Sequence, residues 1–226
     1  MEIDKKKFLL EIAYQHGAKS KDAIIISKCR NKNVLDVGCA GQDRNFESKE
    51  WLHNRIRCVA REIHGVDILK SEIKKLSAMG YSIFHIDELA SLNNKYEVIV
   101  MSDVIEHVNN PVSFLRTYSQ CLVDDGEMIV STPNSNRARN FIHILISNNY
   151  AINFEHTMWL CPKTFLEIIE RSGLYPTEFY WLNEYNLNNR LTAVQNFIFF
   201  ISSILSRLRS NFNPNFMFIL KKQKKI

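Results

Sequence analysis

Glycine and proline are scarce, at 7 and 5 of 226 residues, which excludes collagen-like and linker-rich architectures. The five cysteines, Cys29, Cys39, Cys58, Cys121 and Cys161, form no CxxC pair. Neither a zinc site nor a disulfide framework is therefore expected, and reduced thiols suit a cytoplasmic protein. There is no internal repeat or low-complexity block. The apolar stretch after Lys5, Lys6 and Lys7 stops at Glu11, too short for a secretory signal. Acids are missing from residues 207–226, which carry six Lys and Arg, more than the whole net charge of +5. The remaining body is close to neutral, which weighs against a nucleic-acid partner.

What is present is ordinary globular material: 46% hydrophobic and 23% charged residues, enough for one domain with a sizeable core. Residues 4–30 read as helix, with Phe8, Leu9, Ile12 and Ala13 on one face. β-rich runs follow at 34–38, 63–67, 81–86, 97–101 and 127–131, with helical stretches near 48–62, 69–79 and 111–122. Strands separated by helices predict βαβ crossovers and a parallel sheet. After Pro162 a helix is expected to run to Ser172-Gly173, then a strand at 177–181, and a last strand at 216–220. Residues 191–209 place apolar side chains at helical spacing, with Val194, Phe197, Ile198, Ile201, Ile204, Leu205 and Leu208 on one face.

The chemistry sits at strand ends. Val34-Leu35-Asp36-Val37-Gly38-Cys39-Ala40-Gly41 turns a strand into a loop of small residues, where a ligand can approach the backbone. Asp67 ends the next strand, as does the acid that clasps ribose hydroxyls in dinucleotide folds. Asp87 ends the third run and Asp103 follows the fourth. Acids at successive strand ends lie on the edge where open α/β sheets bind ligands.

These segments resemble the class I S-adenosylmethionine-dependent methyltransferases, and among them the small group of ubiquinone-biosynthesis O-methyltransferases. The resemblance covers about residues 30–182 and includes "GVDI" (65–68), "DVIEHVNNPVSFL" (103–115), "GEMIVSTPN" (126–134) and "HTMWLCPKTFLEIIERSGL" (156–174). It implies an α/β, Rossmann-like, seven-stranded sheet flanked by helices. The domain would divide into N-terminal helices (1–30), a cofactor-binding core (31–182), an amphipathic helical insert (183–213) and a last strand with a basic tail (214–226). S-adenosylmethionine is the implied cofactor. Asp36, Gly38, Cys39, Ala40 and Gly41 would hold its methionine part, and Asp67 with Ile68 its ribose. Asp87 and Glu88 would approach the adenine, and Ser102 and Asp103 would flank the sulfonium. Two features depart from the family loop: Ala40 and Gln42 stand where it usually has glycines, and Asp36 and Asp67 are 31 residues apart where about 20 is common.

Methyl transfer is an in-line displacement, so the chain mainly has to align the acceptor and take its proton. His107 and His156 are the expected catalytic bases, since imidazole titrates nearest neutral pH. Asp103, Glu106, His107 and His156 also resemble the metal set of small-RNA 2′-O-methyltransferases. Asp103 replaces the first Glu there, no second His follows His107, and no metal is expected. Trp51, His53, Tyr150, Phe154 and Trp159 fall in expected cover segments, where aromatic faces suit a sugar ring. The expected acceptor is a sugar or glycolipid precursor of a surface polysaccharide, on resemblance to methyltransferases of polysaccharide gene clusters. The alternatives are a quinone-type or other lipid-soluble acceptor, and a non-catalytic cofactor-binding subunit. The 191–209 helix is expected to be a lid, a homodimer contact, or a peripheral contact with the inner membrane face.

Overall fold

The computed structural model describes residues 4–15, 17–41, 45–89, 94–147, 153–182 and 192–223. Gln42, Tyr150, Leu191, most of the expected insert before the helix and the last residues of the basic tail lie outside them. Seven strands form one sheet in the order β3-β2-β1-β4-β5-β7-β6. They are β1 (Asn33–Val37), β2 (Glu62–Asp67), β3 (Ile83–His85), β4 (Tyr96–Ser102), β5 (Leu122–Pro133), β6 (Leu174–Leu182) and β7 (Asn215–Lys222). The first five are parallel, and β7 enters antiparallel between β5 and β6. β1 and β4 are central and covered on both faces, which is why Val34, Leu35, Ile99 and Val100 can form continuous apolar runs.

The helices are α1 (Lys5–Ala13), α2 (Lys21–Cys29), α3 (Leu52–Arg57), α4 (Lys70–Ala78), α5 (Pro111–Ser119), α6 (Ala138–Ser147), α7 (Pro162–Arg171) and α8 (Ala193–Leu208). The helix predicted over 4–30 is two helices. The chain breaks between them at Gly17, whose φ is +87°, and Ser20 caps α2 by accepting from the Ala23 N–H. The stretch predicted over 48–62 contracts to the six residues of α3. α6 has no counterpart in the sequence prediction. The insert helix forms as expected, opened by a capping box in which Thr192 and Gln195 satisfy each other's backbone N–H. Val194, Phe197, Ile204 and Leu208 face outward, while Ile198 and Ser202 are buried.

An aromatic cluster of Phe8, Phe165, Phe179, Trp181, Phe216 and Phe218 joins α1 and α7 to the antiparallel edge of the sheet. The Trp181 indole N–H donates to the Ile12 carbonyl at 3.0 Å, fixing α1 against this layer. The carboxyl ends of β1, β2 and β4 are thereby left open on one side.

Candidate active site

The loop after β1 is built around a close approach. Gly38 sits at φ +73°, its N–H donates to the Val66 carbonyl at 2.8 Å, and a Cβ there would lie 2.6 Å from Val104 Cγ2. Only glycine fits that position without strain. Asp67, 7% exposed, ties the same loop to the end of β2. Its Oδ2 accepts from the Ala40 N–H at 2.8 Å, and its Oδ1 accepts from Ile68 and Leu69 at 2.7 and 3.1 Å. A carboxylate has about four lone-pair sites, so three of them hold backbone and one is left for a ligand hydroxyl.

Beneath this loop lies a cleft of ≈ 640 Å³. Of the expected cofactor residues, Gly38, Gly41, Asp67, Ile68, Ser102 and Asp103 lie on its wall. Ile86, Phe114 and Tyr118 add the apolar wall that the sequence reading did not identify. Asp87 and Glu88 form a single 3-10 turn with Ile86. The Asp87 side chain is 82% exposed against the His85 ring, so Ile86 rather than Asp87 faces the cleft.

A second cleft of ≈ 330 Å³ opens in front and shares Val37, Gly38, Ser102 and Asp103 with the first. Its wall also carries Lys21, Asp22, Asp36, Cys39, Glu50 and His53. Asp103 stands where the two clefts meet, at φ +57°. Lys21 Nζ reaches Asp103 Oδ2 at 2.6 Å from the first turn of α2, and Ser131 Oγ donates to Oδ1 at 3.0 Å. Sequence reasoning missed Lys21, which is 82 residues away from the carboxylate it meets.

Asp36 and His53 are buried together, with His53 Nδ1 2.9 Å from Asp36 Oδ2. The carboxylate can only accept, so Nδ1 carries the proton. The His53 ring is 1% exposed and stacks on Trp51, whose indole N–H donates to the Cys39 carbonyl at 2.9 Å. Trp51 is thus a buried brace of the loop and not the exposed cover expected for it. Phe154, by contrast, is fully exposed.

His107 and His156 do come together, their rings edge to face with centroids 4.7 Å apart. His107 is exposed on the wall of the larger cleft, and its Nδ1 lies 3.2 Å from the Glu155 carbonyl oxygen. That carbonyl can only accept, so in neutral His107 the proton is on Nδ1 and Nε2 is the basic nitrogen. His156 is half-buried behind it and is held below its ordinary value by burial, then by His107 and Arg137. Glu106, His107 and His156 present possible ligand atoms within 4.8 Å of one another, as do the buried Asp36, Cys39 and His53.

Glu106 is 2% exposed; its Oε2 accepts from Thr132 Oγ1 at 3.1 Å, and its Oε1 is buried without a partner. Burial first, then the Asp103 carboxylate, push this acid up to about 8. The folded chain therefore keeps a proton that the unfolded chain releases near the ordinary 4.5. Stability should fall as pH rises from about 4.5 to about 8, by on the order of a few kcal/mol. His156, with a lowered value, works in the opposite direction, so the informative comparison is with Glu106→Gln. Thermal melts across this range should show a flatter decline in the variant. An unchanged slope would contradict the buried proton.

The family model described as a methyltransferase domain matches residues 14–178. A ubiquinone biosynthesis O-methyltransferase of Neisseria meningitidis serogroup C (strain 053442) is 24% identical over 161 residues, 64% of this chain and 64% of that protein. The protein of the same name from Proteus mirabilis (strain HI4320) is 25% identical over 169 residues, 70% of this chain and 62% of that protein. The match thus spans just under two thirds of the length of these curated relatives. Among solved structures, a SAM-dependent methyltransferase from Archaeoglobus fulgidus superposes with a TM-score of 0.54 at 18% identity, covering 97% of this chain and 95% of that one. An S-adenosylmethionine-dependent methyltransferase from Clostridium acetobutylicum ATCC 824 gives 0.56 at 11%, covering 98% and 93%. At such identities the likeness is one of fold.

Proposed function

The chain belongs to the class I S-adenosylmethionine-dependent methyltransferases, and we propose that the larger cleft holds that cofactor and the front cleft a hydroxyl-bearing acceptor of the sugar or glycolipid type. The residues present fit the cofactor. Gly38 lets the loop close onto Val104 with its backbone on the cleft wall, Asp67 keeps a lone pair for a ribose hydroxyl, and Ile86, Phe114 and Tyr118 suit a flat base. When bound, the cofactor supplies an electrophilic methyl group on a sulfonium.

The chain's own residues do the rest. Asp67 fixes the loop and the ribose together. Lys21 and Ser131 hold the Asp103 carboxylate at the junction of the clefts, beside the path from one to the other. His107 lies on the wall of the larger cleft, so the acceptor's hydroxyl reaches from the front cleft past Asp103 and gives its proton to Nε2, the Nδ1 proton being committed to the Glu155 carbonyl. His156 packs edge-on against that ring and limits its rotation. His53, buried against Asp36, positions the loop and does not reach the acceptor.

The observation that carries the acceptor class is the front cleft itself. Asp22, Glu50 and Asp103 put carboxylate oxygens on its wall that can accept from hydroxyls, Asp22 beside Arg55 and Asp103 beside Lys21, while Asp36 is buried behind them against His53. A polyhydroxylated ring supplies such donors, and a quinone ring supplies few. The quinone-type acceptor is the second reading, supported by what the relatives are named for. Incubation with methyl-labelled cofactor should place label in nucleotide-sugar or glycolipid acceptors, and exhaustive chelation should leave the rate unchanged. Label found only in a polyprenyl phenol would overturn the sugar reading. Cofactor binding with no transfer to either class would favour a non-catalytic subunit.

A further inference from the structure

A cavity of ≈ 610 Å³ lies apart from both clefts, between α6, α8, the Gly17-Ala18 turn and the approach to β7. Its wall combines two chemistries. Arg137, Arg139 and Arg207 supply three guanidinium groups, and none of the described residues lining it is acidic. Phe199, Phe200 and Phe212 supply the apolar part. The Arg139 guanidinium lies 4.7 Å over the Phe199 ring, so cation and aromatic face are already brought together.

Ser202 gives an independent sign of a ligand. It is 7% exposed, lies on the cavity wall, and its buried Oγ has no hydrogen-bond partner. Buried hydroxyls are almost always paired, and this one belongs to a residue that lines the cavity, where a rotamer change would let it donate to a ligand oxygen. The local potential is positive as well: burial first, then Arg139 and Arg137, hold the nearby His143 below its ordinary value. Outside the cavity, Phe141 and Leu145 of α6 and Val194, Phe197 and Leu208 of α8 are exposed, an apolar ridge continuing from the aromatic wall.

We propose that this cavity binds a phosphorylated lipid, with its phosphate against the arginines and Ser202 and its hydrocarbon chain along the phenylalanines toward the α6–α8 ridge. Guanidinium groups match phosphate oxygens in pairs, and three of them exceed what a single carboxylate would need. A wholly polar anion would leave the phenylalanines idle, and a neutral lipid would leave the arginines so. Arg137 also lines the small cleft that holds Glu106 and His156, so the occupant would sit on the far side of the reaction centre. The phosphate could come from a membrane headgroup or from a free lipid phosphate, a difference the experiment separates. The binding does not depend on the sugar reading, because it is measured without turnover.

Dodecyl phosphate, kept below its micelle-forming concentration, is the probe. It should bind the full chain saturably, at least tenfold more tightly than inorganic phosphate or dodecyl maltoside. Arg139→Gln with Arg207→Gln should weaken it at least tenfold while S-adenosylhomocysteine affinity stays unchanged. Should that pair fail to fold, Ser202→Leu, which fills the cavity from a different side chain, should give the same loss. Co-sedimentation with phosphatidylglycerol vesicles, lost in the same variants, would assign the phosphate to membrane headgroups. Dodecyl phosphate binding without sedimentation would assign it to a free lipid phosphate. Equal affinity in wild type and a folded variant would overturn the proposal, as would inorganic phosphate or dodecyl maltoside binding as tightly as the probe.

Discussion

Gly38→Val should bind no measurable S-adenosylhomocysteine at concentrations that saturate the wild type, a loss of more than about a hundredfold. Two costs fall on one position. The backbone there has φ +73°, a region a β-branched residue occupies only under strain of about 1–3 kcal/mol. The new Cβ would also lie 2.6 Å from Val104 Cγ2, so either the loop or the segment after β4 must move. Both form the wall of the larger cleft, and a shift of either alters the surface the cofactor lies on. At about 1.4 kcal/mol per factor of ten, strain and displacement together suffice for the expected loss. Calorimetry on a variant shown by its melt to be folded checks this. Retained affinity would mean that the cofactor does not lie against this loop.

His107→Ala should lower turnover by about 100- to 10,000-fold, the usual contribution of a general base. Affinity for S-adenosylhomocysteine should stay within about twofold, since the His107 ring hydrogen bond goes to the Glu155 carbonyl rather than to the loop of Gly38 and Asp67. His156→Ala should cost less, because the half-buried His156 only steadies the His107 ring. Equal losses in kcat and cofactor affinity in His107→Ala would make the residue a structural prop of the cleft.

The strands were legible because each parallel run is apolar, bounded by polar residues and separated by a helical stretch, and crossover geometry then leaves few arrangements. The glycine loop after β1 was legible too, through Gly38 and Asp67, despite Ala40 at a position usually held by glycine: Ala40 uses its N–H to meet Asp67 and takes no positive φ. α6 was not legible. Its sequence, ARNFIHILIS, mixes β-branched and aromatic residues after a Pro-Asn turn, so local pattern does not mark it as a helix, and in the fold it packs against α8. With α6 missing, the cavity beneath it could not be anticipated. The outward turn of the α8 apolar face has a related cause: periodicity identifies a stripe but not which side meets the protein. Asp36 with His53 and Asp103 with Lys21 were invisible for a different reason. These pairs meet only when the sheet brings distant segments to one edge, and no local spacing encodes that.

We place S-adenosylmethionine in the cleft bounded by Gly38 and Asp67. Calorimetric titration of S-adenosylhomocysteine into the wild type and into Asp67→Asn tests it most directly. Asparagine keeps the shape but replaces one accepting oxygen with a donor, so it cannot meet Ala40, Ile68, Leu69 and a ribose hydroxyl together. The wild type should show one site per chain, and the variant should bind at least tenfold more weakly. Equal affinities, or no binding by the wild type, would contradict this placement.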